Sequence, residues 1–440
     1  MLDILLINSP LYDRKVKNDE QFLPPFGLGY IGNELKKNNL KVELLDCVLD
    51  NLTMSEIVEF IQSKQPKFVG INIFSVNFEL VKKIIEKYPD DTTFLVGGRS
   101  TKALYKEILS FETENKIVVV IGEGDYIVSD IVQGNVKERP SYTWGENRII
   151  YTVDSKSIYF PHDLSLLSPD RELFKNRVLV NVFGHKEASI ITSRECIFDC
   201  AFCGAARSLN RNIPIRECSE PAIKHELEAI ATLNPEVEDI RVLDDLFLKN
   251  QTSAEKAIRI FSNFAYEWRA MAHVISLKNI EISALRALKT SGCKELEIGI
   301  ESGDSQIRRL INKKGSISDI LKVIADILNV GINVKGYFIY GFPDETLEQC
   351  QKTFELAQKI SQIAKNTTAR FRASAFIFRP YHGTKLYNLV LQSHRKISFS
   401  HDDTLNGLSK RSQFNFSAGN FSKCPEESLK DFVIRTNMLK

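Results

Sequence analysis

Hydrophobic residues in the first 135 positions fall in short, nearly unbroken runs of Ile, Val and Leu, each followed by a longer stretch of helical period. Five runs read as strands: Asp3 to Asn8, Lys41 to Asp46, Phe68 to Ile73, Thr93 to Val96 and Ile117 to Ile121. Helices such as Met54 to Ser63 and Asn77 to Lys87 lie between them. This alternation predicts an α/β fold opening with a doubly wound, Rossmann-like parallel sheet. Such sheets bind ligands at the carboxyl ends of their strands, where Ser9-Pro10, Gly97-Gly98 and Gly122-Glu123-Gly124 fall. Glycine lets the backbone approach a bulky ligand, although the same glycines also suit ordinary turns.

From Gly134 to about Leu179 the pattern loosens, with prolines at 140, 161 and 169, and reads as a linker. A second βα series follows, with strands at about Ala188 to Thr192, Asp239 to Leu243, Trp268 to Val274, Glu295 to Gly299, Asn333 to Tyr340 and Arg370 to Phe378. Six such units suggest a partial TIM-like barrel whose site lies at the carboxyl ends of its strands. Beyond Gln392 the chain turns polar before a terminal helix at Glu426 to Met438, a tail placed to cap the barrel mouth. The expected organisation is a first domain at 1–135, a linker at 136–179, the barrel at 180–392 and the tail at 393–440.

Composition changes this picture little. With 58 basic and 56 acidic side chains the formal charge is +2, and there is no basic stripe to suggest a nucleic-acid partner. The apolar run Ile4 to Ile7 is strand-sized, its flank lacks a basic leader, and no stretch approaches the roughly 20 apolar residues that span a bilayer. The expectation is a soluble, cytoplasmic enzyme. Of eight cysteines, Cys47, Cys218, Cys293, Cys350 and Cys424 are scattered, and three crowd into eight residues. That is no disulfide framework; the crowding points to metal.

Cys196, Cys200 and Cys203 stand at Cys-x3-Cys-x2-Cys spacing directly after the first barrel strand. Three thiolates on one loop can hold three corners of a cubane iron-sulfur cluster and leave the fourth iron open to a small molecule. Zinc is the competing reading, but a structural zinc site takes four protein ligands, and this loop supplies no fourth. With Phe202 just before the third cysteine, the motif resembles that of the radical SAM superfamily. The resemblance implies a 4Fe-4S cluster whose open iron is chelated by S-adenosylmethionine (SAM). An external one-electron donor, such as flavodoxin or ferredoxin, drives cleavage of SAM to a 5'-deoxyadenosyl radical.

Other segments extend the resemblance along the barrel. Val242-Leu243-Asp244-Asp245-Leu246-Phe247 is similar to an Asp-Asp-x-Phe element that meets the SAM ammonium, a role the resemblance gives to Asp244 and Asp245; a helix cap is the plainer alternative. Gly299-Ile300-Glu301-Ser302 looks like the element whose carboxylate, here Glu301, lies near the SAM ribose or amine. Gly336 to Thr346 resembles the segment lining the adenine, through Ile339 and Gly341. Phe378 to Thr384 resembles a Pro-Tyr-Pro-Gly-Thr ending with His382 in place of the second proline, a histidine read as a surface residue. Cys218, Cys293 and Cys350 read as buried and inert, whereas Cys424, in the polar tail, could reach the site as a hydrogen donor.

The first domain carries Phe22 to Ile31, Gly70 to Ile73, Val96-Gly97-Gly98-Arg99 and Ile121-Gly122-Glu123-Gly124-Asp125 in the order seen in the cobalamin-binding domain fused ahead of many radical SAM enzymes. The resemblance implies cobalamin held near Gly97, Gly98, Gly122 and Gly124, and methylation of an unactivated carbon of a small molecule. No histidine precedes His162, so a histidine ligand to cobalt from this domain is excluded, and Arg99 departs from the usual proline. An empty first domain would shift the resemblance to a cobalamin-independent dehydratase or epimerase acting on a sugar-like intermediate of secondary metabolism. A non-catalytic iron-sulfur or cobalamin sensor is the third class, against which the several SAM-site segments speak.

Overall fold

The computed structural model describes residues 2–13, 23–89, 91–175, 177–401 and 416–439; Phe22 and residues 402–415 of the polar tail lie outside them. Two compact units divide the chain between Arg177 and Val178, with Asn212–Pro214 belonging to the first. No described helix is long and apolar enough to cross a membrane.

In the first unit, β1 (Ile4–Asn8), β2 (Val42–Asp46), β3 (Phe68–Asn72), β4 (Thr93–Gly97) and β5 (Lys116–Gly122) alternate with α1 (Phe26–Lys37), α2 (Met54–Lys64), α3 (Phe78–Lys87), α4 (Thr101–Leu109) and α5 (Ile127–Gln133). Leu5 and Ile7 of β1 enter one apolar cluster and Ile4 and Leu6 another. Helices therefore cover both faces of the sheet, and this is why its strands read as unbroken apolar runs. The expected linker is corrected here. β6 (Tyr142–Trp144) and β7 (Arg148–Val153) extend the sheet to the order β2-β1-β3-β4-β5-β7-β6, with β7 parallel to β5 and β6 antiparallel to β7. Ile150 and Val153 are buried, and the Arg148 guanidinium donates to the carbonyls of Leu109, Phe111, Thr113 and Asn115.

The second unit begins with a short hairpin, β8 (Leu179–Val180) and β9 (Lys186–Ile190), followed by a two-residue ladder of β10 (Ser193–Arg194) with β11 (Arg216–Glu217). Then come α6 (Glu220–Leu233), β12 (Asp239–Val242), α7 (Gln251–Phe261), β13 (Glu267–Ala272), α8 (Val274–Lys278), α9 (Ile282–Thr290), β14 (Cys293–Glu301), α10 (Ser305–Leu310), α11 (Ile317–Asn329), β15 (Asn333–Tyr340), α12 (Leu347–Lys365), β16 (Phe371–Ile377) and α13 (Lys385–Gln392). Strands β9 and β12 to β16 are parallel in sequence order, and β9 pairs with β8 rather than with β16, so the barrel is partial. One set of alternating positions, including Ile240, Val242, Trp268, Ala270, Leu296, Ile298 and Val334, packs into a single apolar core with the helices. The other set, Glu187, Arg241, Arg269, Glu295, Glu297, Lys335 and Arg372, carries charge into the opposite face.

Of the C-terminal stretch, the described residues include a helix that packs into the barrel. After the short pair β17 (Ser400–His401) and β18 (Phe416–Ser417), α14 (Glu426–Asn437) buries Leu429, Phe432 and Val433 in the barrel's own core. Asn437 takes up the N–H and C=O of Ala375 (2.7 and 3.2 Å), and Ala373 N–H donates to Leu439. Three of the free backbone groups of edge strand β16 are thereby paired, and the edge is covered by a helix.

Candidate active site

The cysteine motif follows β9 and is closed at its base by the β10–β11 ladder and by a nearly buried ion pair, Arg216 with Glu195 at 3.0 Å. Asp244, at the end of β12, fastens the start of the loop. Its carboxylate accepts from Thr192 N, Thr192 Oγ1 and Ser193 Oγ, each at 2.7 Å, and is 2% exposed. Farther along, Asn312 Nδ2 donates to Asp199 O at 2.7 Å, Ala201 N to Ile311 O, and Leu386 N to Ala201 O. Lys385 pairs with the Asp199 carboxylate at 2.5 Å. Burial works against that charge, yet Lys385 and Ser208 hold Asp199 down at about 2.

The backbone N–H of Phe198 points at Cys196 Sγ (3.5 Å) and that of Ala205 at Cys203 Sγ (3.4 Å). Burial pushes the thiols of Cys196 and Cys200 up, so a cationic ligand is what would draw their protons off. Three thiolates on one loop, two of them receiving backbone N–H groups, can hold three corners of a cubane cluster and leave its fourth iron open.

A cavity of about 300 Å³ opens against this loop, bounded by Cys196, Cys203, Asp244 and Asp245 on one side and by Arg241, Arg269, Glu297 and Tyr337 on the other. The charged residues of that wall, Arg241, Arg269 and Glu297, belong to a largely buried network of four cations and three carboxylates. Arg269 grips Glu187 with two bonds (2.6 and 2.7 Å), Arg372 grips Glu295 (2.6 and 2.5 Å), and Arg241, Lys335 and the Tyr337 hydroxyl converge on Glu297. Burial opposes the Glu297 charge, but Arg241, Lys335 and Arg269 together hold its carboxyl well below the usual range. The cavity can therefore seat a zwitterionic ligand, an amine toward Asp245 and an anionic group toward the guanidinium groups.

Glu301, Phe202, Ile339 and Gly341 are not among the residues that line this cavity. Glu301 sits at φ +65° where the β14–β15 register shifts, and its carboxylate pairs with Lys313 at 3.0 Å. Burial opposes the Lys313 charge, but Glu301 and the Cys200 sulfur outweigh it and raise its pKa, which keeps a cation beside the cluster loop. Phe202 packs on Phe342 (5.9 Å) in an apolar cluster that Ile339 also joins. The helix-cap alternative for Asp244 and Asp245 does not apply, because α7 is capped by Asn250. His382 rests against the Tyr387 ring, and Cys424 is buried in the core rather than presented to the site.

Gly341 takes φ +84°, and its N–H, with that of Phe342, donates to Glu345 Oε2 (2.6 and 3.1 Å). Burial pushes the Glu345 carboxyl up from near 4.5 to about 7 against those two bonds. Between these pH values the folded chain keeps a proton that the unfolded chain has released, so stability falls as pH rises through the window. The expected loss is at most about 3 kcal/mol. Urea unfolding at about pH 5 and about pH 8 should show it, and Glu345→Gln should flatten it.

In the first unit, Gly97, Gly98, Gly122 and Gly124 lie where β4 and β5 end. Gly98 (φ +109°) and Gly122 (φ +100°) are already required by backbone conformation and packing, since a Cβ would meet Ile73 O at 2.8 Å and Val153 O at 2.1 Å. At Gly97 a Cβ would meet nothing within 4 Å, which leaves that strand end open to a ligand. Lys313, Glu345, Arg241, Arg269, Glu297 and Tyr337 were not singled out by the sequence. For Arg241, Arg269 and Glu297, charged residues alternating with apolar ones along β12, β13 and β14 were the available signal.

Residues 190–357 match the family model of the Radical SAM superfamily, and residues 16–132 match the B12 binding domain. The chain is 25% identical over 381 residues to an uncharacterized methyltransferase of Pyrococcus horikoshii, covering 84% of this chain and 78% of that protein. In fold it is similar to the cobalamin-dependent S-adenosylmethionine radical enzyme OxsB, solved with aqua-cobalamin and S-adenosylmethionine bound, with a TM-score of 0.65 at 16% identity over 95% of this chain. It spans 64% of the OxsB chain. It is also similar to the radical S-adenosylmethionine methyltransferase TsrM from Kitasatospora setae, with a TM-score of 0.62 at 13% identity over 91% of this chain and 79% of that one.

Proposed function

From a chain that joins a B12-binding domain to a radical SAM domain, we propose an enzyme that cleaves SAM at a 4Fe-4S cluster and methylates a carbon of a small molecule with cobalamin. The observation that carries the reading is the cavity bounded at once by two cysteines of the motif and by Asp245. When bound, the cluster supplies the electron for SAM cleavage and cobalamin carries the methyl group.

The chain's own residues hold and orient. Cys196, Cys200 and Cys203 ligate the cluster, Phe202 braces their loop, and Asp244 fixes its start. Asp245 meets the methionyl amine. Glu301, steadied by Lys313, faces the ribose side, while the backbone at Ile339 and Gly341 lines the adenine. In the first unit the strand ends at Gly97, Gly98, Gly122 and Gly124 hold the corrin, with no histidine available before His162. The reading places the protein in the cytoplasm, served by a flavodoxin- or ferredoxin-type donor.

The test is anaerobic: rebuild the cluster, add hydroxocobalamin, desalt, and compare cobalamin absorbance with iron content. Stoichiometric retention of both is expected. Iron without cobalamin would overturn the methylation reading and leave direct radical chemistry.

A further inference from the structure

At the other end of the barrel strands, away from the cysteine loop, three side chains of different elements converge. His185 ends the β8–β9 turn, Asp239 opens β12 and Glu267 opens β13; their ligand atoms lie within 4.8 Å of one another. Asp239 and Glu267 are register partners on adjacent strands, so two carboxylates stand side by side on one face, like charges that call for compensation beyond the one ammonium, Lys294, that pairs with Glu267. Five residues of β9, about 17 Å of strand, separate this cluster from the start of the cysteine loop.

The geometry around His185 favours a metal over an ion pair. Its Nδ1 is 3.2 Å from Asp239 Oδ2 and 3.2 Å from Glu267 Oε2. Yet Nδ1 makes no hydrogen bond, and neither does Glu267 Oε2, although both atoms are buried. Two oxygens that close can fail as acceptors only by lying off the N–H direction. Ligands of one ion look like this: with metal–ligand bonds of about 2.1 Å at near-octahedral or tetrahedral angles, the ion lies along the ring nitrogen's lone pair and the other ligand atoms stand about 3.0–3.4 Å from that nitrogen.

The surroundings fix the donors without filling the gap between them. Asn181 Oδ1 accepts from Phe183 N (2.9 Å) and His185 N (3.1 Å), and its Nδ2 donates to Asp239 Oδ2, the oxygen beside the histidine, whose remaining lone pair is the one left for an ion. Lys294 holds the other oxygen of Glu267 at 2.6 Å, leaving Oε2 turned to the histidine. We propose that His185, Asp239 and Glu267 bind one divalent first-row transition-metal ion, completed by water, which staples the β8–β9 turn to the starts of β12 and β13. The inference stands apart from the proposed function.

The test uses the full chain with its cluster rebuilt and kept in the oxidised, diamagnetic state, titrated with Mn2+ while the electron paramagnetic resonance signal of free Mn2+ is followed. Cysteine thiolates compete poorly for this hard ion. One equivalent per chain should disappear from solution and return on addition of Zn2+. His185→Gln and Asp239→Asn should each weaken Mn2+ binding about tenfold or more. Glu267→Gln, at a partly exposed position, should do the same with an unchanged circular dichroism spectrum. No uptake at millimolar Mn2+, or uptake unchanged in all three variants, would overturn the site and leave His185 as a partner of the two carboxylates.

Discussion

Alanine at any one of Cys196, Cys200 or Cys203 should bring formation of 5'-deoxyadenosine from SAM down to background, with iron content falling in parallel. Three ligands on one loop leave no spare: the loop is pinned by Asp244, by Ile311 and Asn312, and by Lys385. No neighbouring cysteine stands in reserve. Cys218 has its thiol pushed up to about 12 by burial, and Cys424 is enclosed in the core. The measurement is anaerobic iron analysis with product chromatography on each single variant. A variant that keeps its iron but loses cleavage would place that cysteine beside the cluster rather than on it. Full activity in any one of them would end the cluster assignment.

The cysteine motif was legible because its chemistry is local: three thiols within eight residues need no tertiary information to be read as one site. The parallel strands were legible for a related reason, since burial on both faces leaves unbroken runs such as Ile4 to Ile7. What escaped was long-range. The hairpin of β6 and β7 hides behind exposed Tyr142 and Trp144 and a strand opening on Arg148, and its place in the sheet is decided by β5. The last helix reads as part of a polar tail until the edge of β16 is there for Asn437 to cover. The barrel's charged interior escaped because Glu187, Arg269 and Glu295 become partners only once β9, β12, β13 and β14 lie side by side.

Asp244 and Asp245 show the same limit at single-residue scale, and they give the second large prediction. They are sequence neighbours, both expected to meet the SAM amine, but Asp244 is spent on Thr192 and Ser193, more than 50 positions away. Asp244→Asn keeps the shape and removes the charge, turning an amide toward donors that need an acceptor. With hydrogen bonds to a charged group contributing about 1.5–3 kcal/mol each and buried donors costly to strand, the expected destabilisation is about 2–4 kcal/mol. Because the same bonds aim the loop that carries Cys196, cluster affinity should also fall about 10–100-fold, the range typical of groups that orient metal ligands. Asp245→Asn should behave differently: normal iron, normal melting, and weaker SAM binding by equilibrium dialysis. Iron loss in the Asp245 variant, or a stable, iron-replete Asp244 variant that fails only to bind SAM, would exchange the two roles.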